Sequence, residues 1–442
     1  MKVVVVGGGK MGLPLACQIA SNGADVTVCD INLDLIEKIN RSEAPFFEPG
    51  LQESLARNVA ANRLRASIDT SDLVSRANVV IIIVPAVLTP ANEIDYGNLK
   101  SASEAVGKGL QKGILICYET TVPVGGCRSE LVPVLEKTSG LKAGKDFYVA
   151  FSPERVKSMK VFEHLSKIPK INGGFDAESA QKAKEFYKKY LKVPIIDLKT
   201  MENAEFVKLA GMLYRDVNIA LANELAFFAE KVGADFMQIR EAANTDGEAK
   251  ILLPGIGVGG HCTPVYPYFL ISSARKIGLN LHLAENARSI NDQQPTRMVS
   301  RIIKKIGPIS RKKVHILGLA FRPNVKEHFK SPAFLLHDAL QSHNAVISLE
   351  DPLYSKKEIE SLGFQYAQIV KDPAEIVILT TAHEQYKNPN FKKWYQSGVR
   401  LVVDGRNYWN EQDVADQGIG YLTVGKSSEM MRFENRQSLI AN

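Results

Sequence analysis

The feature that most narrows the fold lies at the start of the chain. Residues 3–6 are an unbroken run of valine, and Gly7-Gly8-Gly9-Lys10-Met11-Gly12 follows at once, leading into an apolar stretch over 13–20. A run that is apolar at every position suits a strand buried on both faces of a parallel sheet. Gly7, Gly9 and Gly12 match G-x-G-x-x-G, in which glycines allow a tight turn and let backbone approach a pyrophosphate at a helix N-terminus. A second strand over 25–29 ends on Asp30. A carboxylate there accepts from a ribose 2′-hydroxyl and repels a 2′-phosphate, and the following Ile31 and Asn32 supply no arginine for one. The expected cofactor is NAD rather than NADP.

Strand patterns recur at 79–84, 114–118 and 149–151 with helical stretches between them, which predicts a doubly wound α/β domain over 1–200. From 201 to 231 the pattern changes. Phe206, Leu209, Leu213, Val217, Leu221, Leu225 and Phe228 recur at helical spacing with no proline inside. A helix of about 30 residues would run ~45 Å, a length suited to a connector or a dimer seam. It opens a mainly helical central segment, 201–309, interrupted by a Gly/Pro-rich stretch over 254–267. A second α/β unit is expected over 310–425, with strands at 314–320, 345–349, 376–380 and 401–403, and a polar, flexible tail over 426–442. The predicted fold class is therefore α/β, with two Rossmann-like doubly wound domains joined by a long central helix.

Bulk properties narrow the function. At 442 residues the chain exceeds one ordinary core, and 45% hydrophobic with 23% charged residues fits a soluble globular protein. No apolar run approaches the ~20 residues of a membrane span, and MKVVVVGGG reads as a strand rather than a signal peptide. Five cysteines without paired spacing argue for a reducing cytoplasm. The net charge of +7 is spread along the chain. Its clusters at 182–189 and 311–313 read as solvated faces, so no nucleic-acid partner is expected, although a mild positive bias suits a nucleotide diphosphate. No metal is expected.

Four segments carry the candidate chemistry. YETTVPVG at 118–125 and FSPERV at 151–156 each follow a strand, Lys208 lies on the long helix, and Cys262 lies in GVGGHCTP at 257–264. A thiolate adds readily to an aldehyde, and the resulting thiohemiacetal can surrender a hydride to give a thioester. A carboxylate such as Glu154 would activate water for hydrolysis, and an ammonium such as Lys208 would stabilise an oxyanion. A lone cysteine is more often a small core residue, but a glycine loop lets backbone reach a ligand closely. His261 reads as structural, Cys17, Cys29, Cys117 and Cys127 as inert, and Glu119 as a turn cap.

Together these segments resemble the nucleotide-sugar 6-dehydrogenases, the family of UDP-glucose and UDP-N-acetylhexosamine dehydrogenases. The likeness spans nearly the whole chain through GGGKMGLPLA, YETTVPVGG, FSPERV, AEFVKL, YRDVNIALANELA, GIGVGGHCTPV and GLAFRPN, and the SPERV and YRDVNIALANE wording looks closer to the N-acetylhexosamine branches. The resemblance implies two NAD per sugar, a cysteine thioester, and a homodimer about the central helix. By motif it makes Cys262 the nucleophile, Thr121 the residue that positions water, Glu154 the base and Lys208 the oxyanion partner. It implies NAD contacts at Gly7, Gly9, Met11, Gly12, Asp30, Val84, Pro85 and Thr121. It implies nucleotide-sugar contacts at Glu154, Arg155, Lys208, Gly255, Gly257, Gly259, Gly260, Phe321 and Arg322.

The chain departs from the family pattern at Met212, Tyr266 and Glu248, where Asn, Asp and Arg are usual. It departs again at Lys326-Glu327-His328-Phe329, in place of an Asp-Asp…Arg pattern. These departures bear on the choice of sugar, between UDP- and TDP-hexoses, and on proton transfer. Two other readings use the same residues. A two-electron β-hydroxyacid dehydrogenase would need neither Cys262 nor the third segment, and an idle NAD and nucleotide-sugar binding protein would bind tightly without forming NADH.

Overall fold

The structure, a computed structural model, describes residues 1–372 and 374–427. The chain divides into two compact units, Met1–Gly211 with Tyr268–Asn280, and Met212–Pro267 with Leu281–Asn442. No helix among the described residues is long and apolar enough to cross a membrane.

The first unit is built on strands β1 (Lys2–Val6), β2 (Asp25–Cys29), β3 (Leu64–Ser67), β4 (Val79–Ile82), β7 (Leu115–Tyr118), β8 (Tyr148–Phe151), β9 (Lys170–Gly174) and β10 (Ile195–Thr200), while β5 (Val87–Leu88) and β6 (Ile94–Asp95) form a separate hairpin. The eight strands lie in the order β10-β9-β8-β7-β4-β1-β2-β3. All neighbours are parallel except β8 and β9. Val3 to Val6 are buried, as a strand covered by helices on both faces requires. The helix Gly12–Ser21 buries Leu13, Leu15 and Ile19 in the same core. The chain reverses its direction of winding between β1 and β4, and in open parallel sheets ligands bind beyond the carboxyl ends of the strands at such a point.

The sheet is wider than the sequence pattern suggests. β9 reads KINGG, poor in strand formers, yet all five residues are buried. Its glycines are imposed by close neighbours, since a Cβ on Gly173 would lie 2.0 Å from the Thr200 carbonyl oxygen of β10.

The second unit carries β11 (Lys313–Leu317), β12 (Val346–Glu350), β13 (Ile376–Leu379), β14 (Leu401–Asp404) and β15 (Gly420–Thr423) in the order β12-β11-β13-β14-β15. All pairs are parallel. Here the winding reverses between β11 and β13. β15 was not apparent in the sequence, because its four residues, GYLT, give too short a pattern. Of the expected tail, residues 428–442 lie outside the described residues. Lys426 is not a tail residue: it forms an antiparallel bridge with Asp235 and an ion pair with Glu411 at 2.6 Å.

The long helix runs Met201–Val232, 32 residues. Five of its buried positions are alanines, Ala204, Ala220, Ala222, Ala226 and Ala229, beside Met201, Leu209, Glu205, Asp216 and Asn223. Phe206, Leu221 and Phe228, members of the apolar stripe that announces the helix, are exposed, Phe228 by 64%. The periodicity identifies the helix correctly, but alanines pack closest to neighbouring elements and take the interior face.

Candidate functional site

Loops at the carboxyl ends of β1, β2, β4 and β7 hold the residues read as cofactor contacts. Gly7 has φ +108°, and a Cβ on Gly12 would lie 1.9 Å from the Gly7 carbonyl oxygen, so neither position accepts a side chain. Gly9 differs: nothing lies within 4 Å of where its Cβ would be. The helix beginning at Gly12 has no side-chain cap and no acidic residue in its first turn, which leaves its N–H groups and positive dipole end for an anion. Met11 packs on the core beside it. The loop also aims Asp30, whose Oδ2 accepts from the Gly8 N–H at 2.7 Å and whose Oδ1 accepts from the Asn32 N–H at 3.0 Å. The Val84 carbonyl, next to exposed Pro85, accepts from Thr120 Oγ1 at 2.8 Å.

Thr121 is buried, and its Oγ1 has no hydrogen-bond partner among the described residues. A buried hydroxyl left unpaired costs about 1–3 kcal/mol, which a bound ligand can relieve. The uncapped helix start, the open face at Gly9, the oriented Asp30 and the unpaired Thr121 all fit a dinucleotide with a free ribose 2′-hydroxyl.

In the same unit the loop after β8 carries Glu154. Its Oε1 accepts from the backbone N–H groups of Arg155 and Val156 at 2.6 and 2.9 Å, and its Oε2 lies 3.2 Å from Lys170 Nζ. Lys170 also pairs with Glu119, which accepts from the Tyr187 hydroxyl at 2.8 Å. Glu119, Glu154, Lys170 and Tyr187 are all buried. Burial alone would raise the Glu154 carboxyl, but the Lys170 and Lys208 charges outweigh it and hold the group below the usual range. Burial pushes Glu119 up to about 6 against the pull of Lys170. Glu119 is therefore not a turn cap, because its carboxylate turns inward to pair with Lys170 on β9. Lys208 Nζ donates to the Glu154 carbonyl oxygen at 2.5 Å, and the Arg155 guanidinium donates to the Pro169 carbonyl.

Glu205, on the helix turn before Lys208, accepts from the Gly125 and Cys127 N–H groups at 2.5 and 3.0 Å. It thereby grips the turn that follows Thr121. Burial pushes its carboxyl up to about 8, against these two donors. Sequence reasoning singled out neither Lys170 nor Glu205. The available signals were a charge enclosed in the apolar stretch IPKI, and an acid one helical turn ahead of the candidate lysine.

The second unit holds the cysteine loop. Cys17, Cys29, Cys117 and Cys127 are buried, and Cys262 alone of the five cysteines is not. Burial raises the Cys17, Cys29 and Cys117 thiols to about 12, 11 and 12, and Cys127 well beyond its ordinary value, so these stay protonated and inert. The loop of Cys262 is fixed by close approach. A Cβ on Gly259 would stand 2.7 Å from both the Lys330 carbonyl oxygen and Phe321 Cβ, and one on Gly260 2.8 Å from the Phe321 ring. The Gly260 N–H donates to the Phe329 carbonyl at 2.9 Å, and His261 stacks on the Phe329 ring with centroids 4.4 Å apart. The Gly255 N–H donates to Asn223 Oδ1 at 2.9 Å, and Asn223 in turn donates to Asn291, which also binds Asp216 beside buried Arg288. Arg406 reaches the Gly257 carbonyl at 3.3 Å and stands 2.7 Å from where a Gly255 Cβ would be. It, too, was not singled out from the sequence.

Phe321 and Arg322 lie on the loop after β11. Asp351, after β12, accepts from the Leu319 and Ala320 N–H groups at 2.7 and 2.9 Å. His383 stands 3.0 Å from Asp351 Oδ2 through Nε2, and its Nδ1 accepts from the Asn324 N–H at 3.0 Å. That acceptance requires the neutral ring with its proton on Nε2. Among the departures, Met212 is half-buried on the long helix, Tyr266 opens the helix Tyr266–Lys276, and Glu248 is exposed. Lys326 pairs with Glu358 at 2.5 Å, Glu327 with Arg322 at 3.6 Å, and His328 meets the Tyr354 hydroxyl at 3.2 Å.

The sheet order, the glycine turn and Asp30 define a dinucleotide-binding protein, and comparison with known proteins gives its class. Residues 1–191 match the NAD binding domain of the UDP-glucose/GDP-mannose dehydrogenase family, 202–293 its central domain and 315–411 its UDP binding domain. The chain is 33% identical over 427 residues to a UDP-N-acetyl-D-mannosamine dehydrogenase of Pyrococcus horikoshii, covering 95% of this chain and 99% of that protein. It is 30% identical to a UDP-N-acetyl-D-glucosamine 6-dehydrogenase of Pseudomonas aeruginosa, covering 94% of this chain and 99% of that one. A solved structure of the UDP-D-ManNAc dehydrogenase from Pyrococcus horikoshii matches with a TM-score of 0.89 at 31% identity, covering 97% of this chain and all of that one. The chain belongs to the UDP-glucose/GDP-mannose dehydrogenase family and is an NAD-dependent nucleotide-sugar dehydrogenase.

Proposed function

We propose that the chain oxidises the C6 hydroxyl of a UDP-N-acetylhexosamine to the carboxylate, a four-electron reaction that passes through covalent intermediates on Cys262. The observation that carries this reading is the placement of Cys262. Of five cysteines it alone escapes burial, and it sits in a glycine loop packed too tightly to accept side chains. The names of the relatives support the sugar class, since they are dehydrogenases of UDP-N-acetyl-D-mannosamine and UDP-N-acetyl-D-glucosamine.

The sequence of bonds is as follows. The alcohol loses a proton and a hydride to become an aldehyde. The Cys262 sulfur adds to the aldehyde carbon, giving a thiohemiacetal whose loss of a second hydride leaves a thioester. Water then displaces the thiol, and the products are the uronic acid and free Cys262. Two NAD molecules, bound one after the other with NADH leaving in between, would take the two hydrides. Their holders are Gly7, Gly9, Met11, Gly12, Asp30, Val84, Pro85 and Thr121, and Thr121 also positions water through its unpaired hydroxyl. Glu154, ionised at neutral pH under the charges of Lys170 and Lys208, takes the proton of the hydrolytic water. Lys208 steadies the Glu154 backbone and supplies positive charge for oxyanions. In the second unit Gly255, Gly257, Gly259 and Gly260 shape the sugar subsite, and Phe321 and Arg322 hold the nucleotide. Arg155 belongs to the sugar contacts on the first unit.

The same reading assigns 1–200 to NAD, 310–425 to the nucleotide sugar, and 201–309 to a homodimer formed through the long helix. Exposed Leu221 and Phe228 support the dimer. Incubation with NAD and, separately, UDP-N-acetyl-D-mannosamine, UDP-N-acetyl-D-glucosamine, UDP-glucose and TDP-glucose tests the function. Two NADH per sugar consumed is the expected result with an N-acetylhexosamine. One NADH per sugar would reduce the reaction to an alcohol dehydrogenation, and none would leave only binding.

A further inference from the structure

Lys170 holds none of the roles given above to NAD, sugar or cysteine chemistry, yet it is buried and its ammonium is committed to two carboxylates. It stands at the first residue of β9, opposite Glu119 after β7 and Glu154 after β8. Glu154 Oε1 is already saturated by two backbone N–H groups, so Lys170 is what fixes Oε2. On its far side Lys170 is clamped by Glu119, which the Tyr187 hydroxyl holds in turn, and Lys170 Nζ lies 5.2 Å from the Tyr187 ring centroid.

We propose that Lys170 is a positioning residue for Glu154, clamped for that task by Glu119 and Tyr187. Stability alone does not call for such an array, because an apolar trio of similar volume packs at least as well as a buried ion cluster. What the array does supply is control of a neighbouring carboxylate. Lys170 favours ionised Glu154, and Glu119, a like charge, opposes it. The groups facing this cluster come from every element packed on it: Cys117 on β7, Tyr187 on the helix Ala177–Tyr190, and Lys208 on the long helix. Burial lifts Glu119 to about 6, so at neutral pH it shares Lys170 as a carboxylate and at lower pH it is a neutral neighbour that leaves the Lys170 charge to Glu154.

The inference rests on the reading of Glu154 as the base, and the two fail separately. The test is the pH profile of NADH formation by the full chain with UDP-N-acetyl-D-mannosamine and NAD. A base works only when ionised, so its pKa sets the acid limb. Lys170→Gln is expected to move that limb up by about one pH unit or more, since it removes the positive charge beside Glu154, whereas Glu119→Gln, whose parent carboxyl is already protonated below about 6, leaves the limb within a few tenths of a unit. Lys170→Arg, which keeps the charge, restores the limb to within a few tenths of a unit. KM for the sugar nucleotide stays within about twofold in all three, because none of these side chains is assigned to substrate. A Lys170→Gln limb that coincides with the wild-type limb, or a Lys170→Arg limb that moves with the Lys170→Gln limb, would overturn the proposal. If Lys170→Gln does not fold, as its near-UV circular dichroism would show, the near-isosteric uncharged Lys170→Met is read in its place, with the same upward shift expected. If Glu154→Gln hydrolyses the thioester at the wild-type rate, the base assignment falls first. If it stalls while the other limbs stay put, only the role of Lys170 falls.

Discussion

The two units hold their functional loops by different means. In the first, buried charge holds the loops after β7 and β8. Glu119, Lys170 and Glu154 form one array, Glu205 grips the Thr121 turn, and Lys208 grips the Glu154 carbonyl. In the second, close contact does the holding. Glycines stand against Phe321, Pro332 and Lys330, and the loop after β11 is tied by Asp351 and a neutral His383. Charge arrays set proton affinities and respond to pH, whereas close packing sets position and responds to volume. Under the proposed mechanism, proton handling falls to the first unit and the placing of the nucleophile and sugar to the second.

The largest expected effect comes from the proposed nucleophile of the second unit. Cys262→Ala should lower uronate formation on the order of 10³-fold or more, in line with the loss of other catalytic nucleophiles. NAD affinity, measured by fluorescence titration, should stay as it was. A variant that keeps two NADH per sugar would remove covalent chemistry from the account.

Next come the two tight glycines, one from each unit. Gly259→Ala forces a Cβ to 2.7 Å from Phe321 Cβ and the Lys330 carbonyl, and Gly12→Ala one to 1.9 Å from the Gly7 carbonyl. Overpacking of this kind costs about 1–3 kcal/mol, which, where the displaced loop binds the ligand, is roughly 5- to 150-fold in affinity. By calorimetry, Gly259→Ala should weaken the nucleotide sugar and spare NAD, and Gly12→Ala should do the reverse. Equal losses of both ligands in both variants would break the division of labour.

The last effect is read in stability rather than activity and concerns Glu205. Its carboxyl is raised from 4.5 to about 8 by burial, so between those values the folded chain keeps a proton that the unfolded chain has lost. Stability should therefore fall as pH rises through that window and level off above it, by at most about 1.4 kcal/mol per unit. Glu205→Gln should flatten the slope of Tm between pH 5 and 8. An unchanged slope would show that Glu205 is ionised throughout and held by its two N–H donors.

Much of this architecture is legible in the sequence wherever local chemistry decides it. The valines of β1, the glycine turn and Asp30 form one short continuous signal, and the period of the long helix survives even though its largest residues face outward. What is not legible depends on partners distant in the chain. Glu119 meets Lys170 51 residues later, which is why it passes for a turn cap. β9 is hidden by its glycines, which only the neighbouring strand explains. Arg406 reaches the glycine loop across 149 residues, and His383 becomes informative only once Asp351 and Asn324 are beside it. Motif resemblance finds Cys262 and Glu154, but it does not show that one rests on glycine packing and the other on a buried lysine.

The most direct test of the covalent route is intact-peptide mass spectrometry of the Glu154→Gln variant, quenched in acid after mixing with NAD and UDP-N-acetyl-D-mannosamine. The account predicts an acyl adduct of the nucleotide sugar on the peptide containing Cys262, released by hydroxylamine. An unmodified Cys262 peptide in a variant that has nonetheless produced two NADH per sugar would contradict it.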